Sequence, residues 1–157
     1  MSFARTVNRS NALASTALAP LQSLVLLGLR VYVSWQFLKS GWLKLQDWDS
    51  TRFLFQEEYR VPLLPPDVAA VAGTAGEIAF PLLLIVGLLG RYAALGLSAV
   101  NVMAVVAYSH VLLSEGFEAA LGQHYLWGLM LLTLLVFGPG RLSVDAALGR
   151  RATPGVL

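Results

Sequence analysis

The chain has 157 residues, of which 57% are hydrophobic and only 13% charged, and its mean hydropathy is +0.67. Soluble domains carry about 25% charged residues and face water over much of their surface, so this composition excludes an ordinary soluble fold and places the chain in a bilayer. The net charge of +2 is scattered around apolar runs, which excludes nucleic acid as a partner, and the absence of cysteine excludes disulfides, thiolate metal sites and thiol redox chemistry within the chain.

Residues 1–20 are polar and basic, with Arg5 and Arg9, and read as an N-terminal tail. The small residues Ala12 to Ala19 resemble signal-peptide cleavage sequence, but they precede the apolar stretch instead of following it, so an uncleaved first helix is expected. Pro20 suits a first helical turn and predicts a helix over 21–45. The segment 49–62 alternates Phe53, Leu54 and Tyr59 with charged residues, as an interfacial or partner-docking helix does. Pro65 and Pro66 precede a second helix over 67–90, with Asp67 as its N-cap and Pro81 a tolerable kink inside it. A third helix is expected over 92–113 and a fourth over 119–137, ending at Gly138-Pro139-Gly140. Residues 21–145 then form one all-α integral membrane four-helix bundle, and residues 146–157 form a second tail.

Flanking charges give an orientation. Arg5, Arg9, Arg91, Arg141, Arg150 and Arg151 share one side with a single acid, Asp145, whereas the longer loops carry Asp47, Asp49, Glu57, Glu58, Glu115 and Glu118 against Arg52 and Arg60. The basic side is expected to be cytoplasmic, with both termini there.

Five polar residues sit where a membrane charges for them: Arg30, Lys39, Glu77, Asn101 and His110. An ionisable group at depth costs about 2.5–3.5 kcal/mol on insertion scales. With helix centres near Val33 and Ile78, Arg30 and Glu77 fall about 6–7 Å apart along the membrane normal, close enough to pair. That pair, with Lys39 approaching from the other side, reads either as the lining of a cavity for a polar ligand or quinone headgroup, or as a device that fixes helix register. Lys39 also has the option of snorkelling outward or meeting Glu57 or Glu58. His110 and His124 bracket an outer loop; they suit proton handling, quinone hydrogen bonding or an interfacial structural role, and a metal or haem site only weakly, since no third ligand is evident. Asn101 predicts an interhelical hydrogen bond.

The order of short motifs resembles one family. Phe37-Leu38-Lys39-Ser40-Gly41-Trp42-Leu43-Lys44 is followed by the segment 51–59 leading into Val61-Pro62, then Gly76-Glu77, the turn Gly87-Leu88-Leu89-Gly90-Arg91-Tyr92, and finally Gly138-Pro139-Gly140-Arg141-Leu142-Ser143-Val144-Asp145. Over about residues 24–145 this resembles the DoxX family of small four-helix bacterial inner-membrane proteins. The resemblance implies an accessory protein or subunit of a quinone-linked redox or stress-response system, with quinone as the implied cofactor and a lipid bilayer, a protein partner or a second copy as company. It carries no catalytic residue. The segment Phe55-x-x-Glu58-Tyr59-x-Val61-Pro62 resembles a branch found beside peptide-modifying enzymes of copper stress. That branch implies the alternative of a non-enzymatic anchor docking a soluble or periplasmic partner through Phe53, Glu57, Glu58 and Tyr59. A small transporter has less support, because no inverted repeat of broken helices is present.

Overall fold

The computed structural model describes residues 3–152, and side chains from residue 7 to residue 149. The elements are α1 (Phe3–Gln46), α2 (Trp48–Phe53), a π-helical turn (Leu54–Glu58), α3 (Pro66–Val86), α4 (Gly90–Ala107), α5 (Ser109–Leu112), α6 (Glu118–Phe137) and α7 (Val144–Ala152), with no strand among the described residues. Four helices, α1, α3, α4 and α6, are long and apolar enough to cross a membrane. They make the protein a multi-pass, all-α membrane protein. α1 packs chiefly on α3, α3 on α4 and α4 on α6, and a lighter α1–α6 contact closes the ring. Val33, Phe37, Leu84, Leu97, Leu131 and Leu134 form the core of the bundle.

Helix boundaries differ from expectation in four places, one of them the end of α3 at Val86, capped by Gly87, rather than at residue 90. α1 starts at Phe3, not near residue 21, and Pro20 lies inside it. Its 44 residues span about 66 Å, twice the hydrocarbon thickness of about 30 Å. The alanines before Pro20 are the strongest helix formers, so the helix continues through the one hydrogen bond that the proline removes. The N-cap of α3 is Pro65 with proline again at the first helical position; Asp67 instead sits in the first turn, 3.0 Å from Arg52 Nε. The third span ends at Ala107 rather than running to residue 113, because the chain breaks at Tyr108 (φ −111°) before the single turn of α5. The break leaves the Ala107 carbonyl open, and the Arg60 backbone N–H donates to it at 2.8 Å.

At the end of the bundle where α3 turns into α4 and α6 leads into α7, the segment 138–145 works as a clasp. The Asp145 carboxylate accepts from the Leu89 and Gly90 backbone N–H groups, each at 2.8 Å, filling two orphan donors at the positive end of α4. Gly87 caps α3 with φ +71°, and a Cβ there would lie 2.5 Å from Ser143 Cβ, so the position needs glycine for both backbone and space.

A close approach of α1 to α3 positions the site. At Gly41 of α1 an added Cβ would lie 2.8 Å from Ile78 Cγ1 and 3.0 Å from Glu77 Cβ of α3. Gly41→Ala is expected to lower the thermal midpoint in mild detergent, by a destabilisation of about 1–3 kcal/mol typical of overpacking. Gly28→Ala, at a position with nothing within 4 Å, is expected to leave the midpoint unchanged or raise it. Equal effects of the two substitutions would contradict this packing.

Candidate functional site

One stripe of α1 faces the bundle: Arg30, Val33 and Ser34, Phe37, Gly41 and then Lys44, spaced three or four residues apart as a helix face requires. Because Gly41 admits α3 so closely, Glu77 arrives beside Lys44. Lys44 Nζ donates to Glu77 Oε1 at 2.7 Å and Oε2 at 2.6 Å, and to Ser40 Oγ, one turn back, at 2.8 Å. All three ammonium hydrogens are therefore used, and both side chains are largely buried. Charged partners at this distance shorten and strengthen the hydrogen bond.

This corrects the expected Arg30–Glu77 pair. Gly41 stands level with Glu77, so Arg30, eleven residues earlier, is about 16 Å away along the helix. Arg30 is 1% exposed and points instead at the terminal clasp. Its guanidinium donates to the carbonyls of Ile85 at 3.0 Å, Leu142 at 2.9 Å and Pro139. Ile85 lies in the last turn of α3, where unpaired carbonyls and the negative end of the helix dipole favour a cation. Arg30 and Glu77 thus belong to opposite ends of the bundle.

Lys39 falls off the buried stripe and is exposed on the outside of α1. Among the described residues the ion pairs are Lys44–Glu77 and Arg52–Asp67, so Lys39 meets neither Glu57 nor Glu58. Asn101 does make the expected interhelical bond. Its Nδ2 donates to the His124 carbonyl at 3.0 Å, and its Oδ1 stands 2.8 Å from His124 Nδ1. Since that oxygen only accepts, Nδ1 carries the imidazole proton and Nε2 is left as an acceptor. His110 is exposed and touches the edge of Tyr108, with ring centroids 5.4 Å apart. No group of three potential metal ligands occurs among the described residues.

The segment after α1 folds back as a lid. Asp47 caps α2 by accepting from the Ser50 N–H at 3.0 Å and hydroxyl at 2.6 Å, which holds its carboxyl below the usual range. The π turn closes with Tyr59 N–H donating to the Leu54 carbonyl at 2.8 Å, and it aims Phe55 and Tyr59 at the bundle with their rings edge to face at 4.9 Å. Phe55 packs on Ala69 and Ala70 of α3. Phe53, Glu57 and Glu58 point outward and are exposed.

Beneath the lid lies a cavity of about 540 Å³, within the range of small-molecule sites. Its walls are mostly small or apolar, from Ala69 and Gly73 of α3 to Gly96 and Ala104 of α4. Its polar side chains are Gln36, Ser40, Lys44, Tyr59, Glu77, Tyr108 and His124. Tyr59 is half-buried, and its hydroxyl has no hydrogen-bond partner among the described residues. Burial, and then the Glu77 carboxylate, push its ionisation above the ordinary tyrosine value. The cavity therefore offers a paired ammonium and carboxylate, a phenol that stays protonated and an imidazole within one apolar chamber. Lys44 was not among the expected site residues, and His124 was expected beside His110 at the outer loop rather than as the partner of Asn101. Both were legible: Lys44 continues the Arg30–Phe37–Gly41 stripe whereas Lys39 does not, and His124 stands two turns before buried Leu131 on one face of α6.

Comparison with known proteins finds a match to the DoxX family over residues 25–110. A protein of Haemophilus influenzae, described as an uncharacterized protein, is 31% identical over 127 residues, covering 76% of this chain and 80% of the relative. No solved structure matches. The family match includes Lys44, Glu77 and Tyr59 but stops short of His124, so half of the Asn101–His124 contact lies outside it.

Two outcomes follow from the site. Glu77→Gln leaves a buried ammonium without its counter-ion, an expected loss of about 3–5 kcal/mol, and adding Lys44→Met is expected to recover most of it. Unfolding in mixed micelles measures both, and losses that simply add would contradict the pair. In an alkaline absorbance titration, the component missing from Tyr59→Phe is expected to ionise above about pH 10. A midpoint at or below that value would contradict the buried phenol.

Proposed function

The chain belongs to the DoxX family, and on that premise we propose that it is a subunit or accessory protein of a quinone-linked redox or stress-response system of the bacterial inner membrane. The observation that carries this reading is the chamber itself, apolar in its walls, with Lys44, Glu77 and the unpartnered Tyr59 hydroxyl converging on it. A quinone would supply the electron chemistry when bound. The chain's own residues would hold its headgroup: the Tyr59 phenol donates to a carbonyl oxygen, the Lys44 ammonium offers positive charge to the same region, and His124 Nε2 accepts from a reduced hydroxyl. The lid and the apolar walls exclude water, which strengthens each of these contacts. In this reading the basic residues around the clasp lie in the cytoplasm and the lid faces the periplasm.

A second reading is favoured by the outward face of the lid. Phe53 is exposed there beside Glu57 and Glu58, and Leu63 stands clear of the bundle at 99% exposure with φ +69°. Such a patch suits a soluble or periplasmic partner, including one of a peptide-modifying copper-stress system, for which the chain would serve as a non-enzymatic anchor.

Native mass spectrometry of the protein released from gentle detergent separates the two. The quinone reading expects bound quinone in the wild type and its loss in Tyr59→Phe, a variant that keeps the Lys44–Glu77 pair. A wild-type preparation without quinone, accompanied by a partner chain lost on Glu57→Lys/Glu58→Lys, would favour the anchor instead.

A further inference from the structure

Lid bonds bound the chamber at one end and helix contacts bound it at the other. Over the lid, Arg52 pairs with Asp67 at 3.0 Å, the Arg60 N–H donates to the Ala107 carbonyl at 2.8 Å, and the Thr51 hydroxyl donates to the carbonyls of Lys44 at 3.0 Å and Asp47 at 2.9 Å. These bonds tie the lid to α1, α3 and α4 together. Toward the opposite end α3 and α4 interlock. A Cβ on Gly76 would lie 2.8 Å from Val100 Cγ2, and Gly96 is covered by the Phe80 ring. Between these bounds the cavity is lined by Ala72 of α3 and by Ala99 and Met103 of α4, and all three are exposed, which marks an opening between the two helices. Ala72 is about 9 Å along α3 from Pro66, and Ala99 about 12 Å along α4 from Ala107, so this opening faces hydrocarbon rather than water.

We infer that the cavity takes its ligand sideways from the bilayer, through the gap between α3 and α4 at Ala72 and Ala99, and that the ligand is a single-tailed amphiphile. Its headgroup carries hydrogen-bonding oxygens and sits at Lys44, Glu77 and Tyr59. Its linear apolar tail leaves through the gap and stays in the lipid. A volume of about 540 Å³ holds one compact headgroup with the first part of a chain, not a headgroup with two acyl chains. Small side chains at 72 and 99 leave the gap open, and Met103 at its edge is the side chain best able to adapt to a passing tail. This inference rests on the headgroup site proposed above and adds the tail and the route.

The test uses the full chain in lipid nanodiscs, with calorimetric titrations corrected against empty nanodiscs. The probes are a tail-less benzoquinone, its decyl-tailed counterpart and a decyl-tailed phenol. Ala99→Phe and, separately, Ala72→Phe place a ring on the lipid-facing rim without touching the polar groups, and unchanged thermal midpoints establish that they fold. Each variant is expected to weaken the decyl-tailed quinone at least tenfold and to leave the tail-less one within twofold. Equal weakening of both quinones, or of neither, overturns the lateral route while leaving the quinone site intact. Binding of the decyl phenol alone, with the same tenfold loss in both variants, supports the route and removes the quinone. If no tailed probe binds the wild type, the inference is wrong.

Discussion

A cation inside a bilayer has no water to fall back on, and the buried face of α1 carries two, Arg30 and Lys44, about 21 Å apart along the helix. Each must be given partners by the protein itself, and the two solutions organise the bundle. Arg30 is answered by main-chain carbonyls from α3 and from the clasp that follows α6, with the Asp145 carboxylate close enough to act on it electrostatically. Lys44 is answered by the Glu77 side chain. One charge ties three segments of backbone together, and the other leaves a pair of side chains facing a chamber.

That difference separates what holds the fold from what is available for chemistry. The end with Arg30 is densely bonded, with only Nε of that guanidinium left without a partner among the described residues: Gly87 fits under Ser143, Asp145 fills the first amides of α4, and Arg91 donates to the last carbonyls of α6 at 2.8–2.9 Å. The other end is looser in composition. Alanine and glycine line the facing surfaces of α3 and α4, the third span stops short at Tyr108, and a lid spans the top. Small residues usually let membrane helices close on each other. Here they do so at Gly41 and Gly76, whereas at Ala72, Gly73 and Ala99 they leave room.

The four spans were legible in the sequence because long runs without charge leave few other readings, and the turns were legible in Pro65-Pro66, Gly87 and Gly138-Pro139-Gly140. The start of α1 was not, since a proline at residue 20 is equally at home in a first turn or within a long helix whose neighbours favour continuation. The pairing of charges failed for a related reason. Centring α1 on Val33 assumed that the apolar stretch and the packed stretch coincide, but α3 docks with Ile78 against Gly41, about 12 Å further along. Which part of an overlong helix meets its neighbour is decided by close packing at one glycine, and hydropathy does not record that. The buried stripe of α1 does record it, in the spacing of Arg30, Phe37, Gly41 and Lys44, and it sorts Lys44 from Lys39. The lid's inward rings were half legible, because an alternating segment announces two faces without saying that a π turn aims Phe55 and Tyr59 the same way.

The central claim is that the chamber beside Lys44 and Glu77 holds the headgroup of a membrane-borne ligand. A crystal structure grown from a lipidic mesophase containing a long-tailed quinone tests it directly. The account predicts ring density within hydrogen-bond reach of the Tyr59 hydroxyl and beside the Lys44–Glu77 pair, with the tail passing between Ala72 and Ala99. A chamber filled by ordered water alone, or by side chains after collapse of α3 onto α4, would contradict it.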